Sequence, residues 1–195
     1  IGPAAAGLEP IFYSMKASAD RVGFVGGGDL FTIEARDLEV ALNFSSYTGT
    51  PLNLSLDYAS TFPAVDGEDG EDDVPAGLAV NTGGDPIYLD FSSYYLAAST
   101  SFAKISLANA VYLQGSFAFA LGGEITVDIA TGLPADVPGT PTTLTDITAT
   151  TLTIGASDVY GFVGLNGPYR SDTNDDGVID EDDTVNEDAF GLAIS

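Results

Sequence analysis

Twelve consecutive residues carry the one arrangement in this sequence with a specific chemistry: Asp172-Thr173-Asn174-Asp175-Asp176-Gly177-Val178-Ile179-Asp180-Glu181-Asp182-Asp183. Oxygen-bearing side chains fall at positions one, three, five, nine and twelve, with glycine at position six, which is the spacing of a twelve-residue calcium loop. A hard dication takes six to eight oxygens, so the chain must reverse sharply to bring them around one point. The expected metal ligands are the side chains of Asp172, Asn174, Asp176, Asp180 and Asp183, together with the backbone carbonyl of Val178 at position seven. Gly177 permits the reversal, and Ile179 is expected to turn inward as an anchor. Asp183 is shorter than the usual Glu at position twelve, leaving Asp182 or Asp188 to complete the shell. The competing reading is a bare acidic surface loop.

A second acidic run, Asp66-Gly67-Glu68-Asp69-Gly70-Glu71-Asp72-Asp73, has the density of a cation site without its spacing. Asp66, Glu68 and Asp72 form a second candidate metal set, with the glycines allowing the turn. A solvated acidic loop is an equal alternative.

Composition narrows the function classes. With 29 acidic against 5 basic residues and a formal charge of −24, the chain lacks the Lys and Arg that a nucleic-acid surface or an anionic membrane requires. Such a charge repels itself, and bound divalent cations relieve part of that strain. Cysteine and histidine are both absent. Disulfides, thiolate sites and the commonest general base are thereby removed, and an all-oxygen calcium site is favoured over zinc. Carboxylate pairs of a glycosidase kind exist by residue type, but the acids cluster in cation-like loops and there is no Trp to line a sugar platform. No serine sits in a Gly-x-Ser-x-Gly elbow, and Gly26-Gly27-Gly28 lacks the lysine of a phosphate loop. The chain reads as a non-enzyme. No run reaches the roughly 18 apolar residues of a membrane helix, so membrane insertion is not expected. The start at Ile1, without a signal peptide, reads as a fragment or processed product. Calcium is scarce in the cytosol, which makes an extracellular, secreted or cell-surface location the expectation.

The elements that must position the loop are strands. Residues 1–10 read as a linker or an N-terminal edge strand for a neighbouring unit, and residues 11–195 as a single all-β domain. Alternating segments run through Ile11–Ala19, Arg21–Val25 and Leu30–Asn43, with a phase change at Arg36-Asp37 that predicts a bulge or corner. Short strands follow from Leu52 to Leu113. Phe117–Phe119 and Ile125–Val127 read as a hairpin across Gly122-Gly123, and Thr143–Val163 is again strand-like. Phe31 to Leu38 echoes Leu152 to Val159, and each copy is followed by an acidic loop and a Gly-Leu-Ala strand, suggesting two related acidic-loop halves. The expected fold is all-β, an elongated antiparallel β-sandwich with calcium-binding loops; a β-solenoid-like repeat is the alternative. Tyrosine and phenylalanine are expected mainly in the core, with Tyr13, Tyr94, Tyr95 and Tyr169 as candidate surface contacts. Asn43-Phe44-Ser45 and Asn53-Leu54-Ser55 are formal glycosylation sequons.

The acidic loop resembles those of dockerins and of thrombospondin-type extracellular calcium repeats. More broadly, Met15–Asp20, Phe24-Val25-Gly26, Gly115–Phe119 and Phe162–Tyr169 running into the loop resemble one tandem-repeat module of giant secreted, calcium-binding bacterial surface or adhesin-type proteins. That resemblance implies an extracellular structural or adhesive role, with calcium as the cofactor and neighbouring copies or adjacent repeats as partners. The expected function is a calcium-stabilised structural module, either a spacer or a building block of a filament or surface layer. The rival is a calcium-dependent adhesin module that binds an extracellular peptide or glycan.

Overall fold

Residues that alternate β-branched or aromatic with small polar side chains build strands of unusual length. The computed structural model describes residues 11–24, 30–46, 54–67, 72–134, 139 and 141–194. In chain order the elements are β1 (Phe12–Gly23), β2 (Phe31–Ser45), a short helix α1 (Tyr58–Thr61), β3 (Leu78–Val80), β4 (Ile87–Leu89), β5 (Tyr95–Leu107), β6 (Val111–Ala130), β7 (Thr143–Leu165), β8 (Arg170–Ser171), β9 (Thr184–Val185) and β10 (Phe190–Ile194). Six strands form one sheet in the order β1-β2-β5-β6-β7-β10, and β3-β4 and β8-β9 form two-stranded ribbons. The architecture is all-β, antiparallel and not closed into a barrel, consistent with a sandwich.

The predicted hairpin at Gly122-Gly123 does not exist: β6 runs unbroken through it. Gly122 has φ +113, and a Cβ there would lie 2.4 Å from the Tyr94 carbonyl oxygen. The glycine serves a close backbone approach within the sheet. The chain actually reverses between β5 and β6 at Ala108 and Asn109, both at positive φ. The separate segments expected before and after Asp20 are one strand, β1, and Leu54 to Leu56 is irregular. The phase change in β2 falls on Asp37, at φ +48, and its echo in β7 falls on Asp158, at φ +51. Aspartate tolerates that left-handed region better than most residues. Residues 1–10, the Gly26-Gly27-Gly28 turn, Asn53 and Glu68 lie outside the described residues.

The chain divides into two compact units: Ile1–Lys16, Ala41–Leu96 and Ala120–Thr153 in the first, and Ala17–Val40, Ala97–Phe119 and Ile154–Ser195 in the second. In the first unit, a segment carrying α1, β3 and β4 covers the sheet through Tyr58, Leu89 and Phe91, against which Ala41, Leu56 and Tyr95 pack. At its centre stands Asn43, wholly buried. Its Nδ2 donates to the carbonyls of Leu56 and Ser93, both at 2.8 Å, and its Oδ1 accepts from Ser14 Oγ at 2.9 Å. Burial of this kind excludes glycosylation at Asn43. Backbone bonds from Tyr58 N–H to Phe91 O, at 2.7 Å, and from Gly77 N–H to Phe62 O, at 2.7 Å, tie the covering segment to itself.

Asn43→Ala leaves two buried carbonyls unpaired and is expected to cost about 1–3 kcal/mol. For a chain of this size that is a fall of about 2–4 °C in Tm per kcal/mol, measurable by thermal denaturation. An unchanged Tm would contradict the role given to Asn43.

Candidate metal centre

The acidic loop hangs between strands, without flanking helices. Arg170 pairs with Val185 and Ser171 with Thr184, so β8 and β9 clamp its two ends into an antiparallel ribbon. Asn186 N–H extends the clamp by donating to Tyr169 O at 2.8 Å. Inside the clamp, the predicted ligand side chains turn inward onto the loop's own backbone. Asp172 Oδ2 accepts from Gly177 N–H at 2.9 Å, and Asn174 Oδ1 from Asp176 N–H at 3.2 Å. Asp176 Oδ1 accepts from Val178 N–H at 2.7 Å, and Asp180 Oδ1 from Asp182 N–H at 2.9 Å. Asp183 closes the ring from position twelve: Oδ1 accepts from Thr173 N–H at 2.9 Å and Oδ2 from Asp180 N–H at 3.1 Å. Gly177 holds φ +82, a left-handed backbone that favours glycine, and a Cβ there would lie 2.9 Å from the tip of the Arg36 side chain.

The loop is seated on the sheet of the second unit. Ile179, 7% exposed, packs against Tyr112 and Phe162. Gln114, only 1% exposed, grips the same residue from beneath. Its Nε2 donates to Ile179 O at 2.6 Å and its Oε1 accepts from Ile179 N–H at 2.8 Å, so one side-chain amide stands in for a neighbouring strand. Tyr112 Oη donates to the same Oε1. Burial, reinforced by the carboxylates of Asp172, Asp183 and Glu34, drives the Tyr112 phenol far above its ordinary pKa and keeps it a donor.

Cations are concentrated here. Lys104 Nζ donates to Gly177 O at 3.3 Å, and Arg170 Nη1 donates to the carbonyls of Asp183 at 2.6 Å and Glu181 at 3.3 Å. Arg36 lies over the Phe102 ring at 4.5 Å and binds Glu34 at 2.8 Å, while Arg21 takes the other Glu34 oxygen at 2.9 Å. Burial raises the Glu34 pKa, but the two guanidinium groups outweigh it and hold the carboxyl below its ordinary value. Asp183, 4% exposed, is also held below its usual value, first by the Thr173 N–H.

Asp172 Oδ1 is buried and takes no hydrogen bond, which is the orphaned acceptor that a cation would satisfy. The donor set is wholly oxygen, as calcium demands. Among the described residues, no three carboxylates gather closely enough to enclose a metal by themselves, so a cation held here would need Asn174 and the Val178 carbonyl as well. Asp188 lies apart from the ring: its carbonyl accepts from Asn166 Nδ2 at 3.2 Å. In the other acidic run, Val65 and Val74 form an antiparallel bridge, and Asp73 Oδ1 accepts from Gly67 N–H at 2.9 Å. Asp66 and Asp72 flank that bridge. Gln114, Tyr112, Arg36 and Lys104 escaped sequence reasoning; the one usable signal was a glutamine directly after the apolar run Val111-Tyr112-Leu113. No protein-family model matches the chain, and comparison with curated proteins and with solved structures finds no similar protein.

Two outcomes test this geometry. Gln114→Met keeps the volume but removes both bonds to Ile179, and is expected to cost about 1–3 kcal/mol. The Ile179 amide should then exchange with deuterium faster while β2 amides stay protected. For Glu34, the folded pKa is lowered, so its contribution is present above the unfolded value of about 4.3 and is lost as pH falls through the folded value. The stability difference between wild type and Glu34→Gln, about 1–3 kcal/mol near neutrality, should therefore shrink in melts below about pH 4.

Proposed function

We propose that the chain is a calcium-stabilised extracellular structural module, a spacer or building block of a larger assembly, and that the ion stiffens the loop. The observation that carries this reading is the twelve-residue loop, whose ligand-type side chains accept hydrogen bonds from its own backbone while Asp172 Oδ1 is left buried and unpartnered. Asp172, Asn174, Asp176, Asp180 and Asp183 would hold the ion, with the Val178 carbonyl, and the ion would supply the positive charge that this acidic ring lacks. A formal charge of −24 adds a general drive toward divalent cations.

A structural role, as opposed to a signalling one, is supported by what surrounds the loop. A calcium sensor swings helices apart to open a groove. Here the flanks are a two-residue β-ribbon, and Ile179 is fixed by side-chain packing and by both amide bonds of Gln114. Calcium added to such a frame has nothing to move and much to hold. Abundant calcium and the cysteine-free, acidic composition fit an extracellular or cell-surface setting.

A binding ion at 100 times its Kd stabilises the fold by about 2.7 kcal/mol, so calcium should raise Tm by about 5–10 °C over chelator. Magnesium should do much less, because its shorter, octahedral shell suits this loop poorly. Asp172→Asn should abolish most of the calcium increment. Identical melts in calcium and chelator would sink the proposal.

A further inference from the structure

Within the second unit, β2 and β7 each carry an aspartate at positive φ, Asp37 at +48 and Asp158 at +51. Irregularities of this kind bend a strand and re-aim its side chains. Between them the adjacent strands β2, β5, β6 and β7 enclose a groove of about 600 Å³, a volume suited to a ligand. Asp37 and Glu39 of β2, Ser99 and Ser101 of β5, Ser116 of β6 and Ser157 of β7 line it, all in the one unit. The β7 side lies low because its residues are small: a Cβ added at Gly155 would meet nothing within 4 Å.

The β2 side of the groove presents acceptors without donors. Glu39 is exposed and has no ion-pair or hydrogen-bond partner among the described residues. Asp37 Oδ2 accepts from Ser101 Oγ at 2.6 Å, which fixes the carboxylate and leaves its other oxygen open. Thr100 Oγ1 donates to the Arg36 carbonyl at 2.7 Å and Ser116 Oγ to the Ser101 carbonyl at 2.6 Å, so these hydroxyls keep only lone pairs for a ligand. The chain's five basic residues are all engaged elsewhere: Lys16 with Asp90, Arg21 and Arg36 with Glu34, and Lys104 and Arg170 with loop carbonyls.

We propose that this groove docks an extended basic segment of a partner protein, seating a lysine or arginine side chain against Asp37 and Glu39. An ammonium or guanidinium group donates only, which matches a surface that only accepts. A cleft lined by one sign of charge also concentrates its field on an incoming cation. Calcium fits this place poorly, because two carboxylates on an open groove fall short of its six to eight oxygens. Three inter-strand spacings of about 4.8 Å give a span of roughly 14 Å, the reach of about four extended residues. The body of such a segment would lie over Phe117 and the Gly155-Ala156 pair. The site shares no residue with the acidic loop and needs no calcium.

Fluorescence anisotropy of a labelled, end-blocked Gly-Lys-Gly-Lys-Gly peptide, titrated with the intact chain in chelator, tests this. Salt is set at about 0.15 M, where a Debye length of about 8 Å screens diffuse attraction to the acidic surface. Glu39→Gln and Asp37→Asn should each weaken binding about 10-fold, the contribution of one charge-assisted hydrogen bond. Glu39→Lys should abolish it, since the introduced side chain fills the groove's own acceptor site. Both positions are exposed and asparagine tolerates the backbone at 37, so Tm should not move. Asp85→Asn removes the same charge from an exposed loop of the first unit and should leave binding intact. A wild-type chain that fails to bind at about millimolar concentration overturns the proposal. So does a lysine-acetylated peptide that binds equally well, or a loss on Asp85→Asn equal to that on Glu39→Gln, which would mark diffuse charge attraction.

Discussion

The buried carboxamide of Gln114 is the contact on which the second unit depends. A glutamine taken out of water must have its donor and acceptor satisfied, or the cost of burying it exceeds anything its packing returns. Gln114 meets that condition in one way, by pairing with both backbone groups of Ile179. The same pairing fixes where the acidic loop sits, which way Ile179 points and which face of the sheet is covered. Tyr112 and Phe162 close over the anchor, and the cations Lys104, Arg36 and Arg170 receive a loop that would otherwise push itself apart. The acidic loop is thus held in shape by neutral and cationic partners.

The first unit follows the same plan with a different amide. Asn43 joins β2 to the carbonyls of Leu56 and Ser93, holding down a segment that contains the other acidic run. The two largest fully buried side chains of the described structure are Gln114 and Asn43, and neither is a hydrophobe. Among the described residues, buried hydrophobic side chains form two small groups, one in each unit, with Phe102 buried apart from both. Specificity here comes less from interlocking apolar volume than from polar groups that accept a single arrangement.

Part of the loop was readable because its turn is local: the oxygen spacing and the glycine at position six, which does adopt positive φ, follow from a dozen neighbouring residues. The all-β character was equally plain, since long alternation leaves no helical face. Failure came where the reason for a residue lies far off in sequence. Gly122 resembles a hairpin turn because nearby residues cannot show that the Tyr94 carbonyl presses against it. Gln114 and Asn43 resemble solvent-facing strand positions because their partners are 65 and 13 residues away.

What the sequence by itself determined was therefore the alternation that makes strands, the strong negative charge, and the oxygen pattern of the loop. Each is a property of composition or of short-range spacing. Only the tertiary structure decided which strands fuse, which polar residues go inside and where the few cations collect. Those outcomes depend on burial, and burial is settled by which distant segment arrives on which side of the sheet. An alternating strand specifies two faces but not what covers either one. At the loop, Ile179 and Gln114 supply the answer for one face.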